Sequence, residues 1–292
     1  LAAGLPYRNF GWRHRLITWF MNRDIKGFRF FAERLPHWLL PNPKTQGQMK
    51  LRTLHGFDLL IDPSQDTGVE YALYCRGTYE EGILDYIGKN YTGQGAFIDV
   101  GANIGLMSLY VATHFPDASV HAFEAHPLTM DIFKENLALN HATQVTPYAF
   151  ALGSQEGSGM IYTDHGQNRG GASLVGSDTL SEGFEISLHR LDDLQLNPVE
   201  IIKLDVEGYE LEVFKGAEKT LRRDRPTLIV EVSAGRVHER ALSHEIYDFI
   251  QALGAYKIYK LKGGKERRSS LVEVRSYQEL PAHDNLICVA EK

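Results

Sequence analysis

The sequence predicts an α/β protein built on a Rossmann-like, mostly parallel sheet, and three observations carry that expectation. From Ala96 onward, short apolar strands alternate with helix-length segments, the rhythm of crossover connections. The first of these strands, Ala96 to Val100, hands over to a helix through the glycine-bearing turn Gly101-Ala102-Asn103-Ile104-Gly105. An acid, Glu124, closes the next strand 23 positions after Gly101.

In chain order, residues 1–78 read as a helical arm followed by a hairpin, and residues 79–292 as the ligand-binding domain. Leu16, Ile17, Trp19, Phe20, Phe28, Phe30, Phe31, Leu35, Trp38, Leu39 and Leu40 suggest one or two amphipathic helices ending near Pro41-Asn42-Pro43. Alternation between Leu51 and Ile61 marks a hairpin turning at His55-Gly56. A helix from Tyr79 to Asn90 leads into the strand at Ala96, and another follows from Leu106 to Phe115. A second strand covers Ser119 to Glu124, and Pro127 opens a helix through Asn140, since proline suits a first turn. A third strand is expected from Val145 to Ala151. The polar, glycine-rich tract from Gly153 to Gly183 reads as a long functional loop, with an added strand from Glu185 to His189. Ile201 to Asp205 and Thr227 to Val232 are buried strands flanking a helix from Tyr209 to Arg222. The tail predicts a helix at His244 to Leu253, a strand at Tyr256 to Leu261, a turn at Gly263-Gly264 and a closing strand at Leu286 to Ala290. No internal repeat is visible.

A chain of 292 residues with 43% hydrophobic composition can bury a large core. No apolar run approaches the roughly 20 residues of a membrane span, and the first residues lack the order of a secretory signal. Cys75 and Cys288 suit neither a disulfide framework nor a zinc site, so a reducing cytoplasm is the expected location. Charge is uneven. Residues 1–34 carry seven basic side chains against Asp24 and Glu33, or +5, leaving −11 for the rest of a chain whose total is −6. That arm could contact something anionic, and two readings stay open: peripheral membrane contact, or packing as a lid or at a dimer interface. The acidic body argues against nucleic acid as substrate.

The sign of the site narrows its ligand. A dinucleotide fold would want Gly-x-Gly-x-x-Gly, and Asn103 stands where the second glycine belongs. Asp99 would also meet a pyrophosphate as like charge, whereas S-adenosylmethionine brings an ammonium and a sulfonium. Gly101 and Gly105 are expected to let a flat ligand lie on the main chain. Glu124 is placed to accept hydrogen bonds from ribose hydroxyls, with a surface acid or a helix N-cap as the plainer reading.

At this point Phe97 to Gly105, Ala122-Phe123-Glu124, Ala151-Leu152-Gly153 and above all Ile202-Lys203-Leu204-Asp205-Val206-Glu207-Gly208-Tyr209-Glu210 resemble the FkbM family of methyltransferases. Phe214-Lys215-Gly216-Ala217 and the strand ending in Glu231 extend the likeness over residues 75 to 290. The resemblance implies a class I methyltransferase sheet with a C-terminal antiparallel hairpin, and S-adenosylmethionine-dependent O-methylation of a small-molecule or carbohydrate acceptor, such as a sugar or polyketide hydroxyl. It implies that Asp99, Gly101, Asn103 and Gly105 hold the methionine moiety, Glu124 the ribose, and Ala151 and Leu152 the adenine side. It also places Tyr79-Glu80 near the cofactor and Arg169-Gly170-Gly171-Ala172-Ser173 on the substrate side.

Methyl transfer to an alcohol needs alignment and a base, the base being worth roughly 10²- to 10⁴-fold. Asp205 is the first candidate, with Glu207 beside it on the following turn; Glu231 and His238 are further ones. Asp205 and Glu231 could instead hold a divalent ion that acidifies the acceptor hydroxyl, or Glu207 and Glu231 could simply orient loops. His126, His165, His189 and His283 read as surface residues. Two rival functions share these features: a degenerate, catalytically inactive methyltransferase-fold binding module, and an NAD(P)-dependent oxidoreductase.

Overall fold

The computed structural model describes residues 5–8, 11–21, 36, 38–66, 68–163, 182–233, 237–254 and 256–291. Its strands are β1 (Tyr7–Arg8), β2 (Met49–Arg52), β3 (Asp58–Ile61), β4 (Ala96–Val100), β5 (Val120–Phe123), β6 (Val145–Tyr148), β7 (Ala151–Leu152), β8 (Gly157–Thr163), β9 (Glu182–His189), β10 (Val199–Leu204), β11 (Thr227–Ser233), β12 (Tyr256–Leu261), β13 (Leu271–Glu273) and β14 (His283–Ala290). Its α-helices are α1 (Trp12–Met21), α2 (Val69–Arg76), α3 (Glu81–Asn90), α4 (Leu106–His114), α5 (Pro127–Leu139), α6 (Glu210–Gly216), α7 (Glu218–Asp224) and α8 (Val237–Leu253).

The central sheet has eight strands in the order β13-β12-β14-β11-β10-β4-β5-β6. Strands β6, β5, β4, β10 and β11 run parallel, while β14 is antiparallel to both β11 and β12. This is the sheet the resemblance implies. The chain winds outward from β4 through β5 to β6, then returns to β10 on β4's other side. That reversal opens a crevice at the carboxyl ends of the strands, where such sheets bind ligands.

Apolar side chains alternate between two cores, one on each face. Phe97, Ile201, Ile229 and Ile287 point into one, with α3 and α4. Ile98, Ile202, Leu228 and Cys288 point into the other, with α6 and α8. Period-two alternation in β4, β10, β11 and β14 therefore serves both faces, which is why these strands read as continuous apolar runs.

The N-terminal hairpin joins the first core through Met49, Leu51, Phe57 and Leu59. Among the described residues its edge strand β3 has no strand neighbour beyond β2. Two asparagines one helical turn apart, Asn136 on α5 and Asn140 at its C-cap, take that place. Asn140 accepts from the Asp58 amide and donates to the Asp58 carbonyl, and Asn136 accepts from the Leu60 amide while donating to the Ile104 carbonyl. The free edge of β3 is thus satisfied by side chains, and the hairpin is tied to the loop after β4. Asn136→Ala should leave two interior backbone groups unmatched and cost about 2–4 kcal/mol, seen as a lower denaturant midpoint; an unchanged midpoint would refute the tie.

Several elements differ from the sequence expectation. The third strand stops at Tyr148: β6 is an edge strand carrying Pro147, and Ala151–Leu152 leave it for a small sheet ordered β7-β9-β8. Part of the tract expected as a loop is β8, paired antiparallel with β9. Arg169-Gly170-Gly171-Ala172-Ser173 and His165 lie outside the described residues. Helix α2 escaped the reading because Glu70, Ala72, Leu73, Tyr74 and Cys75 are all buried, leaving no one-sided stripe. The segment expected as one helix is two, α6 and α7, meeting at Ala217. The closing strand begins earlier, at His283, and β13 was not foreseen. Among the described residues no helix is long and apolar enough to cross a membrane.

Candidate active site

The loop after β4 is held in a tight crossing conformation. Gly101, Asn103 and Gly105 adopt φ of 81°, 51° and 94°. The amides of Gly101 and Ala102 both donate to the Phe123 carbonyl at the end of β5. The room left by the two glycines is taken by protein, which corrects the expected reason for them. A Cβ on Gly101 would lie 1.8 Å from the Asp205 carbonyl oxygen, and one on Gly105 would lie 2.3 Å from the Phe133 ring. These glycines let the loop close on β10 and α5.

Asp99 is buried and accepts a hydrogen bond from the Ser108 hydroxyl at 2.6 Å. Burial pushes its carboxyl up to about 6, against the pull of that bond and of Lys203. Glu124 is used twice by the backbone: one oxygen accepts from the Asn103 amide at 2.9 Å, the other from the His126 amide at 2.8 Å. Burial raises it to about 7 despite those bonds. The helix-start reading of Glu124 and the ligand reading coexist, because each oxygen keeps a second lone pair. His126 is not a surface residue: it is buried and caps α5.

Both acids open onto one cleft of about 400 Å³. An apolar wall of Phe150, Ala151, Leu152 and Ile161 lies on the β5–β7 side. Tyr79, Glu80, Lys203, Asp205, Glu207, Glu231, Lys265 and His283 line the other. Of the expected site residues, Glu80, Asp99, Gly101, Asn103, Glu124, Ala151, Leu152, Asp205, Glu207 and Glu231 all line this cleft; Gly105 sits behind it. His238 lies outside the described residues as far as its side chain is concerned.

The second half of the cleft is a charge cluster that sequence reading saw only in part. Two residues beyond the apolar row Phe97, Ile201, Ile229 and Ile287, the same face of the sheet presents Asp99, Lys203, Glu231 and Asn285. Lys203 is buried, with its ammonium 3.2 Å from Asp205 and 3.7 Å from Glu80. Lys265, from the turn after β12, lies 3.1 Å from Glu80 and bonds Glu231. Asn285 donates to Glu80 at 3.1 Å, and Glu80 itself adopts a left-handed φ of 49° at the start of α3. Burial opposes both ammonium groups, yet the surrounding acids outweigh it and hold both lysines above their ordinary range. Asp205 and Glu231 offer carboxylate oxygens within 4.8 Å of each other. Burial and the Asp205 charge push Glu231 up, while the lysines outweigh burial and hold Asp205 down.

Glu80, Asp205 and Glu231 can each offer an oxygen within 4.8 Å of the others. The ground between them is occupied, however, by two ammonium groups that those acids keep protonated. A divalent ion would have to displace them, so the donor set does not fit the expected metal.

Glu207 sits on the next turn with φ of 52°, exposed at the cleft rim. Surrounding protein, then Asp205 and Glu210, raise its carboxyl to about 7. Glu210 is buried and accepts from the Val206 and Gly208 amides, so it shapes this turn. His283 is exposed, as expected, and also borders the cleft, with Nε2 3.6 Å from Glu231. Lys203, Lys265, Asn285 and His283 were missed as site residues. The available signal was a lysine within the apolar run Ile201 to Leu204.

Strand order, loop and cleft together define a class I methyltransferase fold. The sequence matches the Methyltransferase FkbM domain over residues 99–256, more than half of the chain, and the chain belongs to the FkbM methyltransferase family. It is 31% identical over 156 residues to Methyltransferase sdnD of Sordaria araneosa, covering 42% of this chain and 60% of that protein. It is 33% identical over 143 residues to Hexuronic acid methyltransferase AglP of Haloferax volcanii, covering 47% of this chain and 55% of the relative. The chain thus spans little more than half the length of these two relatives. Among solved structures, Methyltransferase FkbM from Methylobacillus flagellatus aligns with a TM-score of 0.44 and 18% identity, covering 69% of this chain and 47% of that one.

Proposed function

We propose that this protein transfers the methyl group of S-adenosylmethionine to a hydroxyl of a small-molecule or carbohydrate acceptor. The observation that carries the reading is the pair of buried acids, Asp99 and Glu124, at the ends of adjacent strands and facing one cleft with an apolar wall. Asp99 would face the cationic methionine end, Glu124 the ribose hydroxyls, and Phe150, Ala151, Leu152 and Ile161 the adenine. When bound, the sulfonium supplies an electrophilic methyl carbon.

The chain's own residues then align the acceptor and take its proton. Asp205, held ionised by Lys203 and Lys265, is a weak base and a strong hydrogen-bond acceptor, so it orients the hydroxyl. Glu207, poised near neutrality at the rim, takes the proton, since a base works best with a pKa near the working pH. A relative named for hexuronic acid methylation supports a sugar-type acceptor.

Calorimetry with S-adenosylmethionine and with NADH, followed by methyl transfer to hexose and hexuronic acid acceptors, tests the reading. Binding of the methyl donor alone, with turnover cut about 10²-fold or more in Glu207→Gln at unchanged donor affinity, is expected. Tight NADH binding would return the site to the oxidoreductases, and donor binding without any turnover would favour an inactive module.

Donor affinity should also depend on pH. Asp99 and Glu124 ionise only near 6 and 7, so affinity for a cationic ligand should rise about tenfold from pH 6 to pH 8. Ligand-free stability runs the other way. Raised carboxyl pKa values stabilise fully below the ordinary carboxylate range, and that contribution is lost as pH rises through 6 and 7. Flat affinity across this range would contradict both assignments.

A further inference from the structure

Helix α1 turns one face inward and a different kind of face outward. His14 and Ile17 are buried, and the helix packs against α2. On the other side stand Trp12 and Trp19, 67% and 48% exposed. Seven positions separate them, which returns to within about 20° of the same direction on a helix. Arg15 projects from that side as an exposed residue, and the helix contains no acid. Arg13 places its guanidinium 5.6 Å from the Trp12 ring and donates to the Leu39 carbonyl at 3.1 Å. This bond holds the segment bearing Trp38, 67% exposed, against the same helix.

These are the chain's three tryptophans, and none serves the core. Indoles with about half or more of their surface exposed beside arginines suit a boundary where an apolar body meets a polar, anionic layer. The charge distribution selects the occupant. Contact between two copies through this face would bring together Arg13 and Arg15 of each with no acid on the helix to answer them, whereas an anionic surface attracts this face and repels a chain whose residues 35–292 carry −11. We infer that α1 and the Trp38 segment form a docking face for an anionic lipid surface, with Trp12, Trp19 and Trp38 at the headgroup boundary and Arg13 and Arg15 toward lipid phosphates.

Because every tryptophan lies on this face, intrinsic fluorescence reads it directly. The whole chain is titrated with vesicles of phosphatidylcholine alone and of phosphatidylcholine mixed with phosphatidylglycerol, with cosedimentation alongside. A blue shift and cosedimentation are expected with the anionic vesicles only, weakened about tenfold or more by 0.5 M salt. Trp12→Ser combined with Arg15→Glu should weaken partitioning by about tenfold or more while leaving S-adenosylmethionine binding unchanged. Equal affinity for both vesicle types, or no binding to either, overturns the inference. So does concentration-dependent dimerisation, seen by sedimentation without vesicles and lost in the double variant, which would give this face to a second copy.

Discussion

Gly101→Ala is expected to remove detectable binding of S-adenosylmethionine and to destabilise the protein by about 3 kcal/mol or more. Two costs combine. Residue 101 has φ of 81°, a conformation that a Cβ makes unfavourable by about 1 kcal/mol. The new methyl would also lie 1.8 Å from the Asp205 carbonyl, a backbone atom that cannot swing aside. Relief requires the loop after β4 to part from β10, which moves Asp99 and the Asn103 amide that engages Glu124. Gly56 provides the control: its φ is 90°, but nothing lies within 4 Å of its virtual Cβ. Gly56→Ala should therefore cost only the conformational part, with cofactor affinity intact. Equal losses for the two variants, in denaturant midpoint and calorimetry, would show that overlap with β10 plays no part.

Lys203→Met should be the other severe change. It keeps most of the volume but withdraws a buried cation from Asp205, Glu80 and Asp99, and an unpaired buried charge typically costs about 3–5 kcal/mol. The loss carries a pH signature. In the wild type, the depressed carboxyl of Asp205 contributes stability above the ordinary aspartate range and loses it as pH falls. Without Lys203 burial is less opposed at Asp205 and Asp99, so both carboxyls move upward and the variant should lose stability relative to the wild type as pH increases. Lys203→Met with Glu80→Gln should recover part of the loss. A deficit independent of pH, or no recovery in the double variant, would mean that packing rather than charge balance is at stake.

The cluster also changes the reading of the acids Asp205, Glu207 and Glu231. Sequence order brought Asp205, Glu207 and Glu231 to one edge of the sheet and made a metal a reasonable expectation. Two lysines in the same space alter their chemistry. They hold the Asp205 carboxyl down, while Glu231 is pushed up and Glu207 is raised to about 7.

Much of this protein was legible locally. The apolar runs of β4, β5, β10 and β11, the Gly101–Gly105 turn, and the acids Asp99 and Glu124 at strand ends follow from periodicity and turn chemistry within short windows. The sign of that turn pointed to a cationic ligand. What the sequence could not determine by itself was which residues meet across strands. Lys203 and Asp99 share a face because β10 lies parallel to β4 in one register, and Glu231 and Asn285 pair because β14 runs back along β11. Lys265 and Glu80 reach the same point from elements far apart in the chain. The amides of Asn136 and Asn140 close an edge strand more than 70 residues away. Registers and long-range closures are decided when whole elements pack and unpaired charges or backbone groups find partners, so only the tertiary structure could supply them.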